Sequence, residues 1–151
     1  MKIAVLSDTH NLLRPEVIEI IKSSNAVIHG GDINSQGDEI KYVMKPNAQL
    51  FVVRGNNDKE LAANLPVSLD FELGGLKFFL THNRKDIPQD IKADIIIFGH
   101  SHKYHEENIS GQVWLNPGSC GRKRFNLPIT MAVMNVNDNE YSIEKIELEG
   151  E

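Results

Sequence analysis

Residues 94–102 read Asp-Ile-Ile-Ile-Phe-Gly-His-Ser-His. An apolar run this short, bounded by polar residues, fits a strand buried on both faces better than a helix. Gly99 lets the backbone turn at the strand tip, which then carries His100 and His102 one residue apart. Two imidazoles there make a poor core and a good ligand pair. The fold must therefore bring further ligands to this tip, which restricts the topologies open to the chain.

The remaining segments suit that demand. Ile3 to Leu6 is a uniformly apolar strand that empties into Asp8-Thr9-His10-Asn11. Pro15 to Lys22 predicts a helix, with proline near the first turn and apolar residues at Val17, Ile18 and Ile21. Ala26 to His29 is a second buried strand, ending in Gly30-Gly31-Asp32, and Asp38 to Met44 a short helix. Leu50 to Val53 is a third buried strand, ending in Arg54-Gly55-Asn56-Asn57-Asp58. Alternating strands and helices predict parallel βαβ units. Beyond residue 67 the pattern changes to hairpins. Gly74-Gly75 joins 68–73 to 76–80, Ser110-Gly111 joins 104–109 to 112–115, and Asn137-Asp138-Asn139 joins 129–136 to 140–148. A short helix is expected near Pro88 to Lys92. With no repeat or linker visible, residues 1–151 read as a single α/β domain whose second half is largely antiparallel.

Bulk properties narrow the function. Sixteen Lys plus Arg against 21 Asp plus Glu leaves a net charge of −5, which disfavours an electrostatic grip on nucleic acid. The single cysteine, Cys120, cannot form an internal disulfide, as expected in a reducing compartment. Four apolar residues after Met1-Lys2 are too few for a signal peptide or a membrane span. A cytoplasmic protein without a membrane partner is the expectation.

Each strand is followed by a candidate ligand: Asp8 and His10, then Asp32, then Asn56, His82, and finally His100 and His102. In open α/β sheets the carboxyl ends of parallel strands share one edge, where ligands bind. Three carboxylate or amide oxygens with four imidazoles exceed one tetrahedral ion and suit two. Imidazole suits zinc, iron or nickel, and the oxygen ligands admit manganese. Two such ions clamp a phosphoryl group and activate a water or hydroxide for in-line attack.

These blocks, D-x-H at Asp8 and His10, G-D at Gly31 and Asp32, G-N at Gly55 and Asn56, a lone His82, and G-H-x-H at His100 and His102, resemble the calcineurin-like metallophosphoesterases. They occur in family order, and Asn116-Pro117-Gly118-Ser119 looks most like the small bacterial and archaeal phosphodiesterase branch. The resemblance implies an αββα sandwich, two mixed β-sheets packed face to face with helices outside. It implies that Asp8, His10 and His102 hold one divalent metal, that Asn56, His82 and His100 hold the other, and that Asp32 bridges them. Manganese is the favoured metal, with zinc, iron or nickel as alternatives. The same fold is similar to the retromer subunit Vps29, a protein-interaction scaffold.

Two positions depart from the family pattern. Many members carry histidine after G-N, poised to protonate the leaving group, where this chain has Asn57. A neutral amide can hold a phosphate oxygen but is no general acid. Asn57 is thus expected to serve catalysis and substrate binding on diesters with good leaving groups, more than on alkyl monoesters. Asn83-Arg84 replaces the Gly-His that often follows the His82 equivalent, and Arg84 is a candidate bidentate phosphate contact. Asp58 is a candidate orienting group, His29 a hydrogen-bonded structural histidine, His105 a surface residue, and Trp114 a core or interface residue. Arg122-Lys123-Arg124 reads as a solvated charge run. The expectation is a dinuclear metal-dependent phosphodiesterase acting through a metal-bound hydroxide on a small phosphodiester. The alternatives are a scaffold of the same fold or a nuclease, and a homo-oligomer is compatible with either reading.

Overall fold

The computed structural model describes residues 1–33, 37–56, 58 and 64–149. Two five-stranded mixed sheets pack face to face. The first sheet contains β1 (Lys2–Leu6), β2 (Ala26–His29), β3 (Gln49–Val52), β9 (Ile129–Asn137) and β10 (Glu140–Leu148), in the order β10-β9-β1-β2-β3. The second contains β4 (Ser68–Leu73), β5 (Leu76–Thr81), β6 (Ile95–Ile97), β7 (His105–Ile109) and β8 (Gln112–Asn116), in the order β4-β5-β6-β8-β7. β1, β2 and β3 run parallel, with Ile3 opposite Ala26 and Ala26 opposite Gln49. β5, β6 and β8 are likewise parallel, and the outer pairs of both sheets are antiparallel except on the β3 side.

The apolar runs are explained by burial on both faces. Ile3 and Val5 of β1 point between the sheets, where they meet Ile28, Phe78, Leu80, Ile95 and Ile97. Ala4 and Leu6 point the other way, against Val17 and Ile21 of α1 (Pro15–Lys22) and Ile40 of α2 (Gly37–Val43). In β6, Ile95 and Ile97 face inward while Ile96 joins Phe79 and Phe98 on the outer face. Each fully buried aliphatic side chain contributes roughly 1.5–3 kcal/mol, so no face of these strands can be polar without large loss.

All three hairpins form at the expected residues. Their central pairs, Gly74-Gly75, Ser110-Gly111 and Asp138-Asn139, have positive φ throughout, the type I′ geometry that matches strand twist. Three details differ from expectation. Among the described residues both α-helices lie against the first sheet. The outer face of the second is covered by Ile87, Ile91, Ala93 and Trp114 from loop and strand. The helical turn there is a 3-10 turn at Arg84–Asp86, begun by Asn83 accepting from the Lys85 N–H, while 88–92 makes only a turn. β3 is only partly buried at Leu50 and Phe51, because it is an edge strand.

Candidate metal centre

The loops after β1, β2, β3, β5 and β6 meet at one edge of the sandwich, joined by backbone hydrogen bonds. Asp8 N–H donates to the Gly31 carbonyl, His10 N–H to Asp32, and Gly99 N–H to His82, at 2.9, 3.0 and 2.9 Å. The last of these ties the two loops of the second sheet together; the others lock the first two of the first.

Two groups of ligand atoms form where these loops converge. Asp8, His10 and His102 make one; Asp8, Asp32 and His82 make the other, each with its ligand atoms within 4.8 Å of one another. Asp8 Oδ1 lies 3.4 Å from His102 Nε2 and 3.9 Å from His10 Nε2. Asp32 Oδ2 lies between the groups, 3.7 Å from His10 Nε2 and 3.4 Å from His82 Nε2. Asn56 joins the second group through its Oδ1, 2.9 Å from His82 Nε2. His100 stands apart from both groups: its ring is exposed and meets His82 edge-on at 5.2 Å between centroids. What His100 supplies to the centre is its backbone N–H, donated to Asp8 Oδ2 at 3.2 Å. Asn57 lies outside the described residues.

The donor set fits divalent cations. Asp8 Oδ1 and His10 Nε2 are buried and make no hydrogen bond among the described residues. Leaving such groups unmatched costs about 1–3 kcal/mol each, a cost that a cation removes. His82 Nδ1 contacts the Gly30 carbonyl at 2.7 Å and therefore carries a proton. In the neutral ring, Nε2 then presents a lone pair toward Asn56 Oδ1 and Asp32 Oδ2, three acceptors around one point. Burial lowers the His82 pKa, but the hydrogen bond to Asp32, the charge of Asp8 and the Gly30 carbonyl outweigh it and raise the ring above its ordinary value. At His10 burial wins: the ring is held below its ordinary value, opposed by Asp32 and reinforced by Arg124.

A second layer fixes the carboxylates. Asp8 Oδ2 accepts from Ser7 Oγ at 2.7 Å, which leaves Oδ1 turned toward the imidazoles. Asp58, buried, accepts through Oδ2 from the N–H groups of Asp32 and Gly55 at 2.8 and 2.9 Å. His29 is fully buried; its Nδ1 accepts from Gly31 N–H at 3.1 Å and its Nε2 pairs with Thr9 Oγ1 at 3.0 Å, binding the first two loops. That burial drives its pKa down to about 4. The turn at 116–119 sits beneath the site. Asn116 donates to the Gly99 carbonyl and to Ser101 Oγ, both at 3.1 Å, and Ser119 Oγ donates to the Asp8 carbonyl at 2.9 Å. Gly55 is required by packing, since a Cβ there would collide with the Asp32 carboxylate and backbone.

The flanks carry the other candidates. Arg84 lines a cavity of about 450 Å³ with Asn83, Phe98, His100 and Lys103. Its guanidinium lies over the Phe98 and Trp114 rings at 5.5 and 5.1 Å, and 3.8 Å from Glu107. His105 also pairs with Glu107, on the surface of edge strand β7. Arg122, Lys123 and Arg124 are exposed, but they border His102 and Ser119 rather than open surface alone. Proximity of this cluster to the site, twenty residues beyond His102, had no sequence signal except its charge.

No helix among the described residues is long and apolar enough to cross a membrane. The family model described as the calcineurin-like phosphoesterase superfamily domain matches residues 1–139. Phosphodiesterase MJ0936 of Methanocaldococcus jannaschii is 32% identical over 163 positions, covering 93% of this chain and 96% of that protein. A solved structure described as a novel archaeal phosphodiesterase superposes with a TM-score of 0.76 at 27% identity, over 98% of this chain and all of that one (100%). Vps29 of Entamoeba histolytica, complexed with zinc, shares the fold with a TM-score of 0.73 at 21% identity, over 97% and 99% of the two chains. Fold, ordered motifs and relatives agree: this chain belongs to the calcineurin-like phosphoesterase superfamily.

Proposed function

We propose that this protein is a dinuclear metal-dependent phosphodiesterase acting on a small phosphodiester. The observation that carries the reading is the pair of ligand groups sharing Asp8, with Asp32 Oδ2 set between His10 and His82. The site would hold two divalent ions, manganese by preference with zinc, iron or nickel as alternatives, and such ions would supply activation of a water nucleophile and stabilisation of charge on the phosphoryl oxygens. Asp8, His10 and His102 would hold one ion; Asn56 and His82 would hold the other, and Asp32 would bridge. His100, exposed at the rim, would complete the second set only after its ring turns inward.

The chain's own groups do the rest. Ser7, Asp58 and the Gly30 carbonyl hold Asp8, Asp32 and His82 in place, so these three ligands need not reorganise as substrate arrives. Asn57 is proposed from its place after Asn56 to hold a phosphate oxygen without donating a proton to the leaving group. Arg84, beside His100, is proposed to meet the substrate from the other flank. A scaffold using only its sheet surfaces would have no need of buried, unmatched acceptors at Asp8 and His10. A nuclease would have to overcome the net charge of −5.

Elemental analysis of the purified protein, with hydrolysis of bis(p-nitrophenyl) phosphate assayed with and without chelator, tests the proposal. About two ions per chain and chelator-sensitive turnover exceeding that of p-nitrophenyl phosphate are expected. A protein unable to bind manganese overturns the centre. Monoester turnover equal to or above diester turnover overturns the role given to Asn57, and Asn57→His should raise monoester turnover.

A further inference from the structure

Phe125 is out of place as a structural residue. It is 77% exposed and belongs to none of the three core clusters. Its φ is 55° and that of Asn126 is 56°, while Leu127 N–H donates to the Arg124 carbonyl at 2.9 Å. Residues 124–127 are therefore a type I′ turn, whose central positions favour glycine, asparagine and aspartate. A bulky aromatic residue at positive φ is an unfavourable choice there, and such strain marks positions held for another purpose. The turn directs the Phe125 ring onto the metal centre: it meets His102 edge-on, 5.9 Å between centroids. Arg122, Lys123 and Arg124 adjoin it and line one recess with His102 and Ser119.

We propose that Phe125 is a stacking face for a flat aromatic ester group of the substrate, a nucleobase or an aryl ring, with Arg124 meeting the negative charge of the phosphoester. The opposite flank does not offer this, because Arg84 already covers the Phe98 and Trp114 rings. An aromatic group attached to a phosphorus near Asp8 and His102 would lie within reach of the Phe125 ring. A methyl ester would leave the ring uncovered. The inference rests on the phosphodiesterase reading for the placement of the phosphoryl group.

Calorimetric binding to the manganese-loaded full chain tests it, with adenosine 5′-monophosphate, phenyl phosphate and methyl phosphate as probes. Phe125→Gly should weaken the two aromatic probes about tenfold, the size expected for one stacked ring, and leave methyl phosphate within about twofold. A larger loss for the adenosine probe than for phenyl phosphate identifies a nucleobase; equal losses identify a simple aryl group. Glycine accepts the positive φ, so the melting temperature should not fall, and Phe125→Trp should restore affinity. Equal weakening of methyl phosphate, unchanged affinity for both aromatic probes, or loss of affinity together with melting temperature would overturn the proposal. Aromatic-selective binding without bis(p-nitrophenyl) phosphate turnover would uphold the stacking face and reject the diesterase. Turnover with an unchanged KM for that diester in Phe125→Gly would do the reverse.

Discussion

Asp58→Asn isolates the second layer of the centre from its ligands. Asp58 is 2% exposed, and one carboxylate oxygen, Oδ2, accepts from Asp32 N–H at 2.8 Å, Gly55 N–H at 2.9 Å and, more weakly, Ile33 N–H at 3.4 Å. Hydrogen bonds to a charged acceptor contribute about 1.5–3 kcal/mol and neutral ones about 0.5–1.5. Asparagine keeps the shape and one acceptor oxygen, so the two short bonds should each lose about 1 kcal/mol, roughly 2 kcal/mol together. For a chain of this size that corresponds to a fall in melting temperature of about 4–8 °C. The same bond fixes the Asp32 backbone, so the proposed bridging carboxylate should shift and manganese affinity should drop about tenfold or more. Thermal unfolding of the metal-free protein reads the first effect, and calorimetric titration with manganese reads the second. A metal-free melting temperature within about 2 °C of the parent refutes the claim that the carboxylate's charge supports this loop. A normal melting temperature with weakened metal binding would place Asp58 among the ligands instead.

Gly99→Ala should push a Cβ into Ser7 Oγ and the Asp8 carboxylate, destabilising the protein by about 1–3 kcal/mol and weakening manganese binding; unchanged metal affinity would contradict that packing. The His29 ring, with a folded pKa of about 4 against 6.5 unfolded, binds its proton more readily in the unfolded chain. Its contribution of about 3 kcal/mol is therefore complete above pH 6.5 and is lost as pH falls toward 4. NMR should show the ring neutral at pH 5, and protonation near 6.5 would refute the burial argument.

Much of the architecture was legible because the strands are buried on two faces. Ile3 to Leu6 and Ile95 to Ile97 read as uniform apolar runs, and the three hairpins announced themselves through residues that tolerate positive φ. The helix near Pro88 did not form because the segment's apolar residues serve to cover Phe79 and Ile96, and its local hydrogen bonding stops at a single turn. Among candidate ligands, residue type and position after a strand were visible, but sharing was not. Asp8 enters both ligand groups only because Ser7 and the His100 N–H hold Oδ2 and turn Oδ1 toward the imidazoles. Nothing at the level of motif distinguishes a histidine ring that faces inward, His102, from one that faces water, His100. Nor does any local pattern bring Phe125 or Ser119 to the same edge; antiparallel pairing of β9 with β1 does that.

The backbone of the centre suggests why so few residue types recur there. Asp8, His10, Asp32, His100 and His102 all have positive φ, as do Asn11 and Gly31. For residues other than glycine such conformations cost of order 1 kcal/mol each, so five of them represent a substantial local loss. A loop that simply closed a turn would relieve it with glycine, as the hairpin at 74–75 does with two. Here the side chain is retained at each strained position, and the strain is held by packing: Cβ-free Gly55 and Gly99 let neighbouring loops approach Asp32 and Asp8 closely. At Asp8, His10, Asp32 and His102 the left-handed backbone carries side chains that enter the two ligand groups, while at His100 it brings the backbone N–H to Asp8. The centre should therefore be the least stable part of the metal-free protein and the part most stabilised by metal, a gain that follows from cation binding to the folded state alone.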